Sequence, residues 1–289
     1  RNSALATLPQ MKNDGRSPTP GNLWSFSRVK SFHQCPLRYR FRYLQGHKEA
    51  FRSIESYVGN AVHDVLEWLY SERQNGADPD ETQTLDRLAA RWSDELNDTV
   101  AIIRVGDTEE TYLQNAREML IRFLRETYSR DRSTTVSLEQ RLSVRLSDSI
   151  SFTGFADRVG RTENGRLFVI DYKTSKSEGN GSEFSEGLQA PLYAACILRH
   201  HGEDEALAGY HYLRHGSTRW QQVDRDRSEQ LMQRFVELVD EIEIASDFPA
   251  RPGILCAWCG FNAQCPDAQV SDRFAGGLHC AEKQGRRLL

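Results

Sequence analysis

No long apolar run occurs in this sequence. Its apolar stretches are short, such as residues 192–198, whereas a membrane-spanning helix takes about 20 such residues. Residues 1–20 are polar and lack the apolar segment of a signal peptide. No Gly-x4-Gly-Lys-Ser/Thr loop is present, which argues against a P-loop motor in this chain. Net charge is small, with 37 basic against 41 acidic side chains and a formal charge of −4, so global charge does not mark a nucleic-acid binder. Cysteine is sparse, at six residues. With no export signal these read as reduced thiols in a cytoplasmic or nucleoid-associated protein, where metal ligation is the expected use rather than disulfides. What is present suffices for a fold. Hydrophobic residues are 38% and charged residues 27% of 289, enough for one large or two small domains with a real core and unlike a disordered chain.

The hydrophobic period changes midway. Residues 1–22 hold three of the nine prolines and read as a flexible lead-in. Residues 23–44 are helical in pattern, broken at Pro36 beside Cys35. A helix is expected over 54–74, from Val58, Val62, Leu66 and Leu69, and two more over 82–98 and 109–129. Strands are expected over 135–146, 150–159 and 167–172, with Asn164-Gly165 turning the chain between the last two. A loop over 175–183 leads to a helix at 184–200, two strands at 207–214 and 218–223, and a helix at 227–245. The expected division is a lead-in (1–22), a helical region carrying Cys35 and His63 (23–132), an α/β core (133–246) and a Cys-rich segment with tail (247–289).

Acids fall where the strands end. Asp157 closes one strand, and Asp171-x-Lys173 closes the apolar run Leu167-Phe168-Val169-Ile170. Residues two apart share a strand face, and the hairpin brings Asp157 toward Asp171. Two converging carboxylates suit Mg²⁺ or Mn²⁺. Such an ion polarises a phosphate and activates water, and Lys173 would stabilise developing negative charge. An isolated Asp-x-Lys is equally a solvated ion pair at a strand end; the buried run leading into Asp171 sets this one apart. His63, one turn after Gly59, has the chemistry of a Mn²⁺ ligand and equally of a hydrogen-bonded core histidine. Gln189 and Tyr193, four apart, share a helix face that fits a core helix as well as a site.

Seven basic residues against Glu49 alone occupy residues 22–52, interleaved with Phe32, Tyr39, Phe41 and Tyr43. That pattern fits a strip tracking single-stranded DNA, with Arg38 and Arg42 on phosphates and the rings stacking on bases; it also fits a solvated helix face over core aromatics. Cys256-x2-Cys259-x5-Cys265 places three thiols in ten residues. Cys35 is the natural fourth ligand, clipping two distant segments together. Zinc and an iron–sulfur cluster both accept four thiolates. Cys196 reads as core, and Cys280 as a free thiol or a substitute for Cys35.

These pieces, Gly59-x3-His63, Gly154-x2-Asp157-Arg158, Asp171-x-Lys173 and Gln189-x3-Tyr193, resemble the PD-(D/E)XK nuclease superfamily in its RecB-like branch, which includes the AddB nuclease domain and CRISPR-associated RecB-like exonucleases. The likeness spans about residues 24–266, with Ala156 where the superfamily name has Pro. It implies a restriction-endonuclease-like α/β core, a mixed central sheet flanked by helices, with a helical N-terminal half and a Cys-clipped C-terminus. It implies Mg²⁺ or Mn²⁺ on His63, Asp157, Asp171 and the Tyr172 backbone carbonyl, with Lys173 catalytic. Gln189 and Tyr193 would position the site and the DNA. It also implies a [4Fe-4S] cluster on Cys35, Cys256, Cys259 and Cys265, with structural Zn²⁺ the alternative. The expected function is metal-dependent DNA cleavage, exonucleolytic on single strands, in repair, recombination or CRISPR and defence processing. A nucleic-acid-binding or scaffold component of a larger assembly, alongside a helicase or a CRISPR-associated protein, is the second reading. A zinc-stabilised helical adaptor is the third. No membrane partner is expected.

Overall fold

The computed structural model describes residues 23–95 and 99–269; the expected lead-in over 1–22 and Cys280 lie outside them. Strand β1 (Leu23–Ser25) runs directly into α1 (Phe26–Gln34), whose first turn is capped by the Ser25 hydroxyl accepting from the Arg28 N–H. Pro36 opens α2 (Pro36–Tyr39), where its missing N–H costs nothing, and a π-helical turn (Arg40–Leu44) follows. Then come β2 (Arg52–Ser53), α3 (Ile54–Gln74), α4 (Glu81–Glu95), β3 (Val100–Ala101) and α5 (Glu109–Glu126). The second half contains β4 (Thr134–Arg145), β5 (Ser151–Arg161), β6 (Leu167–Lys173), α6 (Gln189–His201), β7 (Glu205–Tyr212), β8 (Ser217–Asp224) and α7 (Arg225–Glu243).

A six-stranded mixed sheet forms the centre, in the order β1-β5-β6-β7-β8 with β4 on the outer edge of β5. β6 and β7 are parallel, whereas β4–β5, β5–β6 and β7–β8 are antiparallel. Six of the seven β6 residues are buried, as a central strand covered on both faces requires. One face packs on α6 and α7 through Phe152, Val159, Leu167, Leu192 and Phe235. The other packs on α3 and α5 through Phe168, Ile170, Val62, Leu66 and Phe123. The mixed sheet flanked by helices is the expected architecture.

Two strands share the edge of β5 opposite β4. β1 pairs in parallel with residues 151–153, and β6 pairs antiparallel with 158–161. Residues 154–157 lie between these ladders, and the candidate site residues gather at this opening in the sheet. The Asn164-Gly165 turn is made as expected, with Gly165 at φ 83°.

Two expectations change. Residues 23–25 are strand rather than helix: Leu23 and Trp24 pair with Ser151 and Phe152, a distant contact that three residues cannot announce through periodicity. The helix expected from 184 begins at Gln189, preceded by a π-helical turn over Glu183–Gly187. There the buried Glu186 carboxylate accepts from the Gly181 N–H (2.7 Å) and the Tyr212 hydroxyl (2.6 Å), holding the chain in a turn.

Candidate active site

Four elements converge on the opening in β5. The Asp157 carboxylate accepts from the Tyr172 N–H through Oδ2 (2.7 Å), which latches the end of β5 onto β6. Its other oxygen lies 3.5 Å from His63 Nδ1, and His63 Nε2 lies 2.9 Å from the Tyr172 carbonyl. His63 therefore bridges α3 to both strands. A Cβ at Gly59, one turn earlier, would meet the Thr174 hydroxyl at 3.5 Å, an ordinary contact, so the approach of α3 to the end of β6 does not itself demand glycine. Burial works against the His63 imidazolium, but the Asp157 carboxylate more than offsets it, and the pKa is pushed up to about 9.

Asp171 is buried beside this group, and its Oδ2 pairs with Lys173 Nζ at 2.6 Å. Burial raises its pKa against the pull of Lys173, with Asp157 adding repulsion. Lys173 donates to Gln189 Oε1 (3.0 Å), and Gln189 Nε2 donates to the Tyr193 hydroxyl (3.3 Å). The Tyr193 ring lies against Gly154, where a Cβ would meet a ring carbon at 2.6 Å. The spaced motifs thus form one chain of contacts, Gly154–Tyr193–Gln189–Lys173–Asp171. Arg158 has a different task. Its buried guanidinium binds Asp131 (2.8 Å), Ser133 (2.8 Å) and Thr135 (2.9 Å) and stacks 3.7 Å over Tyr70, clamping β5 to the start of β4.

One residue of the site was not anticipated. Gln140 pairs with Ala156 and Leu138 with Arg158, so Glu139 stands opposite Asp157. Ligand atoms of His63, Glu139 and Asp157 all lie within 4.8 Å of one another. Glu139 holds φ 43°, the one non-glycine residue with positive φ among the described residues, a conformation that costs about 1–2 kcal/mol. Burial first, then Asp157, pushes its pKa up to about 7. Counting back from the 146–150 hairpin would have found it. The oxygen-rich donor set, one imidazole and a carbonyl fit a hard divalent cation. Asp171 Oδ2, buried and paired with Lys173 but with no other hydrogen bond among the described residues, retains lone-pair capacity for such an ion.

The cysteines gather elsewhere. Cys35, Cys256, Cys259 and Cys265 line one cavity of about 270 Å³, with Leu37 and Phe261. None of the four is in a disulfide, and Cys196 is buried in the core. Leu37 N–H donates to the Pro249 carbonyl (3.3 Å) and Ala50 N–H to the Gly260 carbonyl (2.9 Å), joining the N-terminal helices to the C-terminal segment. Burial pushes the Cys259 and Cys265 thiols up, with Cys35 adding to the effect at both.

The basic and aromatic strip is mostly used internally. Arg38 (3.1 Å) and Arg42 both pair with Glu49, and Arg38 lines the cysteine cavity. Tyr39 is buried, Phe32 packs on Tyr39 and Phe248, and Phe41 packs on Phe261. These rings therefore knit the fold rather than standing open for bases, because the C-terminal segment folds over them.

The family model of the PD-(D/E)XK nuclease superfamily matches residues 23–266. One of the subunits of the ATP-dependent helicase/deoxyribonuclease of Streptococcus agalactiae, in serotype Ia and serotype V strains, is 26% identical over 180 residues, 61% of this chain. The chain spans only 16% of the length of those relatives. Among solved structures, a "Putative exonuclease" from Eubacterium rectale is 13% identical with a TM-score of 0.49, covering 87% of this chain and 91% of that one. Because the family match runs from β1 through the sheet, the His63–Asp157–Asp171 site and the cysteine segment, the chain belongs to the PD-(D/E)XK nuclease superfamily.

Proposed function

We propose that the protein is a Mg²⁺- or Mn²⁺-dependent deoxyribonuclease that hydrolyses phosphodiester bonds, acting as an exonuclease on single strands in DNA repair, recombination or defence-related processing. The observation that carries this reading is the convergence of His63, Asp157, Asp171, the Tyr172 carbonyl and Lys173 at one opening in the sheet. His63, Asp157, Asp171 and the Tyr172 carbonyl would hold the ion, with Glu139 beside them. When bound, the ion supplies Lewis acidity toward a phosphate oxygen and lowers the pKa of a water. Lys173 is placed to neutralise charge growing on the phosphate. Gln189 and Tyr193 hold its ammonium in place. Asp171 would share its carboxylate between Lys173 and the ion.

The four cysteines are proposed to carry a [4Fe-4S] cluster that fastens the C-terminal segment to α1 and α2. All four line one cavity and none is in a disulfide, so their thiols are available as ligands to one metal centre. Iron and sulfide near four each per chain, lost in Cys35→Ser, would support this; stoichiometric zinc without iron would overturn it. The relatives' description as part of a helicase/deoxyribonuclease supports a helicase as the proposed partner, with a CRISPR-associated protein the other candidate.

The test is a nuclease assay on single-stranded DNA labelled separately at each end, with anaerobically purified protein, Mg²⁺ or Mn²⁺, and Asp171→Ala alongside. Stepwise shortening from one end by wild type and none by the variant is expected. Absence of cleavage by wild type, with the cysteine site loaded, would overturn the enzyme reading in favour of a DNA-binding component.

A further inference from the structure

Beside the proposed metal site, the β4–β5 hairpin presents an aromatic ring to solvent. Phe155 is 55% exposed although it lies mid-strand in β5. A single exposed apolar residue is ordinary; the position of this one is not. Gly154 faces the Tyr193 ring and Ala156 lies in the α6 core, so strand alternation puts Phe155 on the opposite face, together with Asp157. Phe155 is thus about 6.8 Å along the strand from a proposed metal ligand. Its cross-strand partner is Arg141, also exposed. The Arg141 guanidinium makes no hydrogen bond or ion pair among the described residues, unlike Arg38 and Arg42, which both pair with Glu49.

We propose that Phe155 and Arg141 form a subsite for the nucleotide next to the scissile phosphate: the Phe155 ring stacks on an unpaired base, and Arg141 binds a backbone phosphate. This rests on the nuclease reading and assigns it a substrate-contacting surface. An open ring accepts any base by its face, and a free guanidinium one residue across the hairpin supplies the complementary charge. The geometry selects a single strand. A base within a duplex would have to unstack, at a cost of a few kcal/mol, before its face reached Phe155.

The experiment uses the full chain with Asp171→Asn to prevent cleavage, and fluorescence anisotropy with short single-stranded DNA. Phe155→Ala should weaken binding by about 5- to 150-fold, while Phe155→Tyr retains it. Arg141→Ala should reduce the salt dependence by about one phosphate contact. One abasic nucleotide, moved along the oligonucleotide, should reproduce the Phe155→Ala loss at a single position and cost nothing further in that variant. Far-ultraviolet circular dichroism checks that each variant is folded. If the parent binds single strands and Phe155→Ala binds within twofold of it, the subsite is refuted and the nuclease reading stands. If the parent binds duplex but no single strand, the subsite and the single-strand substrate fall together.

Discussion

Replacing Gly154 with alanine places a methyl group 2.6 Å from one Tyr193 ring carbon and 3.1 Å from its hydroxyl oxygen. The backbone there is not in the left-handed region, so alanine meets no conformational barrier. Without the contact it would stabilise the chain by about 0.4–1 kcal/mol through the unfolded state. The ring has little freedom to retreat: Tyr193 is 5% exposed and packs on Phe152 at 6.0 Å. Overpacking of this kind costs about 1–3 kcal/mol, a fall in Tm of about 2–5 °C for a chain of this size. A shifted Tyr193 also moves Gln189, which holds Lys173, so nuclease activity should fall beyond what the lost stability explains. The assay is thermal unfolding and turnover for Gly154→Ala, Tyr193→Ala and the double variant. The double variant should be less destabilised than the sum of the singles, since removing the ring removes the clash. Gly154→Ala at or above wild-type stability would refute the close packing and the link from Gly154 to Lys173.

Three further outcomes are expected. His63 has its pKa raised, so its ion pair with Asp157 stabilises the metal-free fold fully below about pH 6.5 and that contribution is lost as pH rises through about 9. Metal needs the neutral imidazole, so Mn²⁺ affinity should climb about tenfold per pH unit from 7 toward 9; a calorimetric titration showing no pH dependence would sink the ligand role. Arg158→Ala leaves Asp131 without its buried partner and should cost about 3–5 kcal/mol in urea unfolding, whereas an effect under 1 kcal/mol would mean the clamp is not structural. Glu139→Gly relieves φ 43° and should raise stability by about 1 kcal/mol while lowering Mn²⁺ affinity; a variant that is both less stable and unchanged in affinity would contradict both halves.

Much of the site was legible because its parts are tied to local patterns. The apolar run 167–170 followed by Asp171 announces a buried strand ending in an acid, and Asn164-Gly165 fixes the hairpin that brings Asp157 to it. Lys173 lies on the same strand face as Asp171 through the period of two, and the structure pairs them. What escaped depends on distant contacts. β1 is three residues long and exists through its pairing with β5. Glu139 is the exception, set opposite Asp157 by a register that the adjacent 146–150 hairpin fixes, but nothing local announces its positive φ or its place beside His63. Arg38 and Arg42 look free in the sequence, but the fold of 40–49 turns Glu49 back onto both. Glu186 likewise carries no sequence signal; its burial follows from the loop that Gly181, Tyr212 and Arg219 close around it.

The central claim is that His63, Asp157 and Asp171 hold a divalent ion on which phosphodiester hydrolysis depends. The most direct measurement is Mn²⁺ binding, followed by electron paramagnetic resonance, with hydrolysis recorded on the same samples of wild type, Asp157→Ala and Asp171→Ala. Saturable binding by wild type, lost together with hydrolysis in both variants, is the predicted result. Unchanged Mn²⁺ binding in both variants, or hydrolysis that survives their loss of the ion, would contradict the account.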